Sequence, residues 1–242
     1  MKFEVNRITV QDKRGVLEAP LTAALVCDVH DGPWEHIIPP MKDVDCILIV
    51  GDLTNRHSSH MPRRAESFLR ACVDTAPTWY AIGNHELKMP HAAEWREVME
   101  RSGAYILDNE VTQLRNDIWL GGLSSQRRPK NNDTTARLLS EKQGFRLLLC
   151  HHPEYYKRLV KPYEIDLTLS GHAHGGQFRF FNQGVYSPGQ GIFPRLTSGF
   201  YYDNKLLVSR GTGTHGPVPR LWNPCELILL TLESNKDGTS VG

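Results

Sequence analysis

Leu169-Ser170-Gly171-His172-Ala173-His174-Gly175-Gly176-Gln177 grows out of an apolar run, Ile165-Asp166-Leu167-Thr168-Leu169, that reads as a buried strand. Glycines flank the two histidines on both sides. Small residues let the backbone turn sharply and approach a neighbour closely. Two imidazoles carried on such a turn can point at one place, and neutral imidazole is the commonest protein ligand for a transition metal. The stretch therefore reads as a strand whose carboxyl end carries a candidate metal-binding loop.

Four further strands end in the same manner. Leu21–Cys27 runs into Asp28-Val29-His30-Asp31-Gly32, Cys46–Val50 into Gly51-Asp52-Leu53, Thr78–Ile82 into Gly83-Asn84-His85-Glu86, and Phe145–Cys150 into His151-His152-Pro153. Nearly unbroken apolar runs are expected of strands buried on both faces. In α/β sheets, ligands bind outside the carboxyl ends of the strands. Asp28, His30, Asp52, Asn84, His151, His172 and His174 are thus predicted to converge on one edge. They offer carboxylate, amide and imidazole groups and no thiolate, a set suited to Mn, Fe or Zn. Seven ligands exceed what one tetrahedral ion takes. They suit two ions sharing one carboxylate, a pair ~3.5–4 Å apart of the kind that acts on phosphate esters.

Helices are predicted from Pro62 to about Val73 and from Pro90 to Arg101, the second with Trp95, Val98 and Met99 on one face and a stop near Gly103. Phe3–Val10 alternates like an edge strand. Short strands are expected at Tyr105–Leu107, Val111–Leu114 and Ile118–Leu120, then a basic loop holding Arg127, Arg128 and Lys130, then a short helix from Thr134 to about Lys142. Past the histidine loop, Phe178–Phe181, Gly199–Tyr202, Leu206–Val208 and Glu226–Thr231 read as strands joined by Gly/Pro/Asn turns. Their aromatics, Phe178, Phe180, Phe181, Phe200, Tyr201 and Tyr202, are expected in the sheet core. Residues 233–242 read as a polar, frayed tail.

The 242 residues suit one large domain over 1–242. Hydrophobic content of 40% and a net charge of +1 give an ordinary globular composition with no overall pull toward nucleic acid. Five widely spaced cysteines without a Cys-x-x-Cys predict free thiols and a reducing, cytoplasmic setting. No apolar run reaches the ~18 residues of a membrane span, and no signal-peptide core is visible.

The ordered blocks Asp28-Val29-His30, Gly51-Asp52, Gly83-Asn84-His85-Glu86, His151 and Gly171-His172-Ala173-His174 resemble the calcineurin-like metallophosphoesterases. The His-Gly-Gly-Gln ending, with Ser209-Arg210-Gly211-Thr212-Gly213 and Pro219-Arg220-Leu221, is similar to a bacterial branch of that family. The resemblance implies an α/β four-layer sandwich, two mixed sheets face to face with helices outside. It implies that Asp28, His30, Asp52 and His174 hold one metal, and Asp52, Asn84, His151 and His172 a second, with Asp52 bridging. His85 would then act on the substrate as general acid or electrostatic stabiliser, with Glu86 orienting its ring. The implied reaction is hydrolysis of a phosphomonoester or phosphodiester by a hydroxide between two Mn, Fe or Zn ions, with Mn the expected activator in vitro. The substrate would be a phosphoester small molecule or a lipid-linked headgroup. A nuclease of the same superfamily fits less well without a basic stripe, and a non-catalytic scaffold would have lost ligand residues that are all present here.

Arg210 and His215, in a Gly-rich stretch, are candidate substrate contacts. His152 is read as a neighbour of the site. His36, His57, His60 and His91 are read as solvated loop residues.

Overall fold

The structure is a computed structural model that describes residues 2–57, 62–125, 132–181, 183–214 and 220–235. In chain order its main elements are β1 (Phe3–Asp12), β2 (Leu21–Val26), β3 (Cys46–Val50), α1 (Arg63–Thr75), β4 (Thr78–Ala81), α2 (Ala92–Arg101), β5 (Tyr105–Leu107), β6 (Glu110–Arg115), β7 (Ile118–Leu123), α3 (Thr134–Ser140), β8 (Phe145–Cys150) and β9 (Leu167–Ser170). There follow the short strands β10 (Arg179–Phe180), β11 (Gln183–Gly184), β12 (Tyr186–Ser187), β13 (Gly191–Ile192), β14 (Gly199–Tyr201), β15 (Leu206–Val208) and the long β16 (Cys225–Ser234).

Two six-stranded sheets form, in the orders β1-β16-β2-β3-β4-β5 and β14-β15-β9-β8-β7-β6. Both are mixed: β2, β3, β4 and β5 run parallel, as do β7, β8, β9 and β15, while β16 meets β2 and β14 meets β15 antiparallel. The period of two along each strand assigns the layers. Leu25, Leu48, Val50 and Ala81 of the first sheet pack with Leu147, Leu149, Leu167 and Leu169 of the second in a core between the sheets. The alternate residues Ala24, Val26, Ile47, Ile49 and Tyr80 turn outward and meet α1 and α2. In the second sheet Leu148, Cys150, Leu206 and Val208 turn outward to Ala136 and Leu139 of α3 and to the turn around Tyr156–Val160. Helices, sheet, sheet and helix make the four-layer sandwich, and both faces of each sheet are covered, which is why these strands read as unbroken apolar runs.

α1 buries Ala65, Phe68, Leu69 and Cys72, the i, i+3, i+4, i+7 stripe of an amphipathic helix. α2 buries Trp95, Val98 and Met99, the face expected from the sequence. Gly103, at φ +92°, follows it. The helices start at Arg63 and Ala92, one and two residues beyond the prolines, and the histidine-loop strand starts at Leu167 rather than Ile165.

Two expectations are corrected. The polar tail does not begin at Glu233, because β16 continues to Ser234 through parallel pairs with β1, Gln11 with Glu233 and Asp12 with Ser234. Residues 236–242 lie outside the described residues. Phe180 and Phe181 are not in the core: they are 63% and 91% exposed, on a two-residue hairpin too short to fold back onto a sheet. Phe200, Tyr201 and Tyr202 do pack, partly buried, against the two cores of the second sheet. No helix among the described residues is long and apolar enough to cross a membrane.

Candidate metal centre

Both sheets send the carboxyl ends of their parallel strands to one edge, and the loops there are sewn together by backbone hydrogen bonds. Past β2 and β3, Asp28 N–H donates to Gly51 C=O (3.1 Å), His30 N–H to Asp52 C=O (3.1 Å) and Asp31 N–H to Leu53 C=O (2.9 Å). Past β8 and β9, Gly171 N–H donates to His151 C=O (3.1 Å). Glycines permit the approach: a Cβ on Gly83 would lie 2.2 Å from Asp52 Oδ1, and one on Gly171 would lie 2.6 Å from Asp28 Oδ2. The loops are also strained. Asp28, His30, Asp52, His172 and His174 all have positive φ, between 47° and 65°. Non-glycine residues avoid that region, and each such residue costs on the order of 1–3 kcal/mol unless its surroundings fix it.

Each carboxylate is anchored by the backbone. Asp28 accepts the His172 N–H at both oxygens (3.2 and 3.0 Å). Asp52 accepts the His85 N–H at Oδ1 (2.9 Å), and its Oδ2 faces His151 Nε2 (3.1 Å), His85 Nε2 (3.9 Å) and His30 Nε2 (4.0 Å). The imidazoles are oriented from behind: His30 Nδ1 donates to Thr54 C=O (3.3 Å) and His151 Nδ1 to Val50 C=O (2.7 Å), which turns both Nε2 atoms inward. Donor atoms group as Asp28, His30 and His174, as His30, Asp52 and His85, and as Asp52, His151 and His172. All seven residues expected to converge are buried, and Asn84 lines the cleft that opens over the groups with Asp52, His172 and His174.

The residues fit metal ions on three grounds. His30 Nε2 and His174 Nε2 lie 3.1 Å apart, and His151 Nε2 and His172 Nδ1 3.2 Å apart. Ligands on a tetrahedral ion with bonds near 2.05 Å are separated by about 3.3 Å. Asn84 Oδ1 is buried without a hydrogen-bond partner, an unmet acceptor that a cation would satisfy. Burial holds His172 and His174 well below the ordinary histidine range, which favours the neutral form that ligation needs. Burial pushes Asp28 up, with the Asp52 charge adding to it against the opposing pull of His151. For Asp52 the same burial is outweighed by His151, His30 and His85, which hold it well below the carboxylate range. For His151 the two aspartates outweigh burial and raise the ring.

His85 shares one of these groups, with His30 and Asp52. Its Nδ1 accepts the Arg56 N–H (3.1 Å), so in the neutral ring the proton sits on Nε2, the atom facing Asp52. Glu86 does not orient this ring as expected. Its carboxylate accepts the N–H groups of Asp52, Gly83 and Thr54 (2.9–3.1 Å) and the Thr54 hydroxyl (3.2 Å), clamping the β3 and β4 loops together. Burial, and then the nearby Asp52 charge, push Glu86 up. Arg210 is likewise corrected: its guanidinium bonds Glu4 (3.0 Å) and Glu226 (3.2 Å), tying β1 to β16, and it does not line the cleft. His215, His60, Arg127, Arg128 and Lys130 lie outside the described residues.

The structure adds residues that sequence reasoning passed over. Glu154 meets His152 Nδ1 (3.1 Å) and approaches His172 Nε2 (3.9 Å). Arg220 donates to His174 Nδ1 (3.1 Å) and to Gly213 C=O, and Asn223 holds the turn by donating to the carbonyls of His174 (2.7 Å) and Gln177 (3.0 Å). For Arg220 the only sequence signal was its place in Pro219-Arg220-Leu221. Asn223 had none, because its partners lie 46–49 residues away. The cleft, of about 440 Å³, is walled by His85, Arg56 and Lys88 as well as by His152, Glu154 and Tyr155, with Pro188 and Gly189 at its rim.

Comparison with known proteins finds metallophosphoesterases. An uncharacterized metallophosphoesterase of Campylobacter jejuni is 29% identical, over 91% of this chain and 61% of its own length. One from Aquifex aeolicus is 22% identical over 96% of this chain and 92% of its own. A zebrafish protein described as a transmembrane protein with a metallophosphoesterase domain is 27% identical over 88% of this chain, which spans 53% of it. The model of the calcineurin-like phosphoesterase family matches residues 23–176, the segment that carries every candidate ligand from Asp28 to His174, and the chain belongs to that family.

Proposed function

We propose that the chain hydrolyses phosphomonoesters or phosphodiesters at a two-metal centre. The observation that carries this reading is that Asp52 Oδ2 faces His30, His85 and His151, so that Asp52 stands in two ligand groups at once. Asp28, His30, Asp52 and His174 would hold one ion, and Asp52, Asn84, His151 and His172 the other. Mn, Fe or Zn suits these oxygen and nitrogen donors, with Mn the expected activator in vitro. Bound metal would supply Lewis acidity at the phosphoryl oxygens and water acidified toward neutrality.

The chain's own residues do the rest. Arg56 and Lys88, both exposed on the cleft wall, draw in the anionic ester. His85 Nε2–H donates to the phosphoryl group or to the departing oxygen as charge grows there. The anchored carboxylates and back-bonded imidazoles need no rearrangement during the reaction. The substrate class is a phosphoester small molecule or a lipid-linked headgroup, and the five free cysteines, all buried, support a reducing compartment. Bis(4-nitrophenyl) phosphate and 4-nitrophenyl phosphate test the reading: turnover should require added Mn and stop with EDTA. A fully metal-loaded protein that hydrolyses neither compound nor any member of a broad phosphoester panel would overturn it.

A further inference from the structure

Seven of the ten large hydrophobic side chains exposed among the described residues lie in one region, between Phe180 and Trp222. The clustering departs from the scattered exposure normal for a protein surface. Phe181 is 91% exposed, Trp222 78%, Ile192 72% and Phe193 67%. Backbone bonds knit the loops into one surface: Arg179 N–H donates to Leu221 C=O, Val185 N–H to Phe178 C=O and Phe193 N–H to Val185 C=O. The Phe180 and Phe181 rings meet at 4.6 Å, and together with Trp222 they line a shallow depression. Three of the aromatics are held at positive φ: Phe181 at 44°, Phe193 at 51° and Trp222 at 50°. Bulky residues are genuine outliers there. The chain thus spends backbone strain on presenting aromatic rings to the outside.

Charge identifies the occupant. From Leu167 to Tyr202 there is no aspartate or glutamate, whereas Arg179 and Arg195 both fall in the stretch, and Arg195 is exposed. Projecting aromatic and aliphatic tips, with the exposed Arg195 among them and no carboxylate in the same stretch of chain, match the boundary layer of a bilayer, where aromatic rings settle at headgroup depth and cations meet anionic lipid. The cleft is next door. Tyr186 and Ile192 pair across the β12–β13 hairpin, and the turn of that hairpin, Pro188–Gly189, forms the rim of the cleft beside His172 and Glu154.

We propose that this surface, tipped by Phe181, Ile192, Phe193 and Trp222, seats the chain on an anionic lipid bilayer with the cleft rim at the membrane. The proposal goes beyond the phosphoesterase reading and holds or fails independently of it.

Flotation with phosphatidylcholine vesicles, with and without phosphatidylglycerol, tests it on the full chain. Protein should float with the mixed vesicles, and Trp222 fluorescence should shift to the blue, a shift absent in Trp222→Phe. The double variant Phe181→Ser/Trp222→Ser should bind on the order of tenfold or more weakly. Arg195→Glu should lose about fivefold or more on the mixed vesicles and nothing on neutral ones. An unchanged melting temperature, and unchanged turnover of a soluble chromogenic ester if the wild type has any, shows that the double variant is folded. No binding to either vesicle, or binding that the double variant leaves intact, overturns the proposal. So does a concentration-dependent dimer that the double variant dissolves without any vesicle binding by the wild type, which would assign the surface to a second copy.

Discussion

His151 Nε2 lies 3.1 Å from Asp52 Oδ2, although the two residues leave strands of different sheets, β8 and β3. Their contact joins the sandwich at the edge where the ligand loops gather. Asp52 Oδ2 also faces His30 at 4.0 Å, so one carboxylate oxygen serves both sides of the site. Asp52→Asn should therefore weaken two ions together. Elemental analysis of loaded protein should give close to two metals per wild-type chain and fewer than one in the variant. Retention of both ions at wild-type affinity would remove Asp52 from the bridging position.

His85→Ala should leave metal content intact and lower turnover by about 10²–10⁴-fold on an ester with a poor leaving group. The loss should be smaller with nitrophenolate, which hardly needs a proton. Equal losses on the two would mean that His85 stabilises phosphoryl charge instead of protonating the leaving oxygen. A stripped metal would make it a ligand.

Gly83→Ala inserts a methyl 2.2 Å from Asp52 Oδ1 and 2.4 Å from the Asp52 nitrogen. The Asp52 loop must move, and metal affinity should fall by about 10–100-fold, the range for disturbing the support of a ligand. Isothermal titration of the apo-protein with Mn measures this, with circular dichroism to show the sheets intact. Unchanged affinity would mean that the loops are less tightly fitted than the Cβ position implies.

Asp117 gives a pH signature remote from the centre. Its carboxylate is nearly buried and bonds Arg115 (2.6 and 2.8 Å) and the Glu18 N–H (2.7 Å). Burial raises it, and Arg115 with the Glu18 N–H more than offset that, so its folded pKa is below the ordinary 3.8. A depressed carboxylate stabilises fully above the unfolded value, and the contribution is lost as pH falls through the folded one. Asp117→Asn should thus cost about 1.5–3 kcal/mol at pH 6–8 in urea unfolding, a difference that shrinks below pH 4. A cost independent of pH would mean that shape, and not charge, holds this corner.

The five cysteines are free and buried. Burial pushes the Cys46 thiol up to about 12, so native protein should react slowly with a thiol reagent. Unfolded in the absence of reductant, it should yield five equivalents. Fewer would mean that a bridge forms under the conditions of preparation.

What could be read from the chain depended on how local the cause was. Strands covered on both faces leave apolar runs, and each run's end exposes its polar residue, so Asp28, Asp52, Asn84, His151 and His172 stood at legible positions. Arg210 was misread because a cation in a Gly-rich stretch looks available, whereas its partners Glu4 and Glu226 are fixed only once β1 and β16 pair. Glu86 was misread for a similar reason. Adjacency to His85 suggested a local bond, yet the carboxylate reaches back 32–34 residues to Thr54 and Asp52. Phe180 and Phe181 looked like core because aromatic strands usually pack, and nothing in Arg179-Phe180-Phe181 announces a hairpin that ends in solvent.

The pairing of β1 with β16 sets an order on assembly. β16 lies between β1 and β2, so the first strand has no neighbour in its sheet until residues 225–234 have been made. A nascent chain must carry an unpaired Phe3–Asp12, and an open edge on Leu21–Val26, until β16 has emerged. Exposed edges of that sort recruit other strands. Several of the inward side chains of β2 and β3 would be in place well before that edge is closed. β16 is therefore the strand that closes this edge and turns a nearly finished sandwich into one protected from its neighbours.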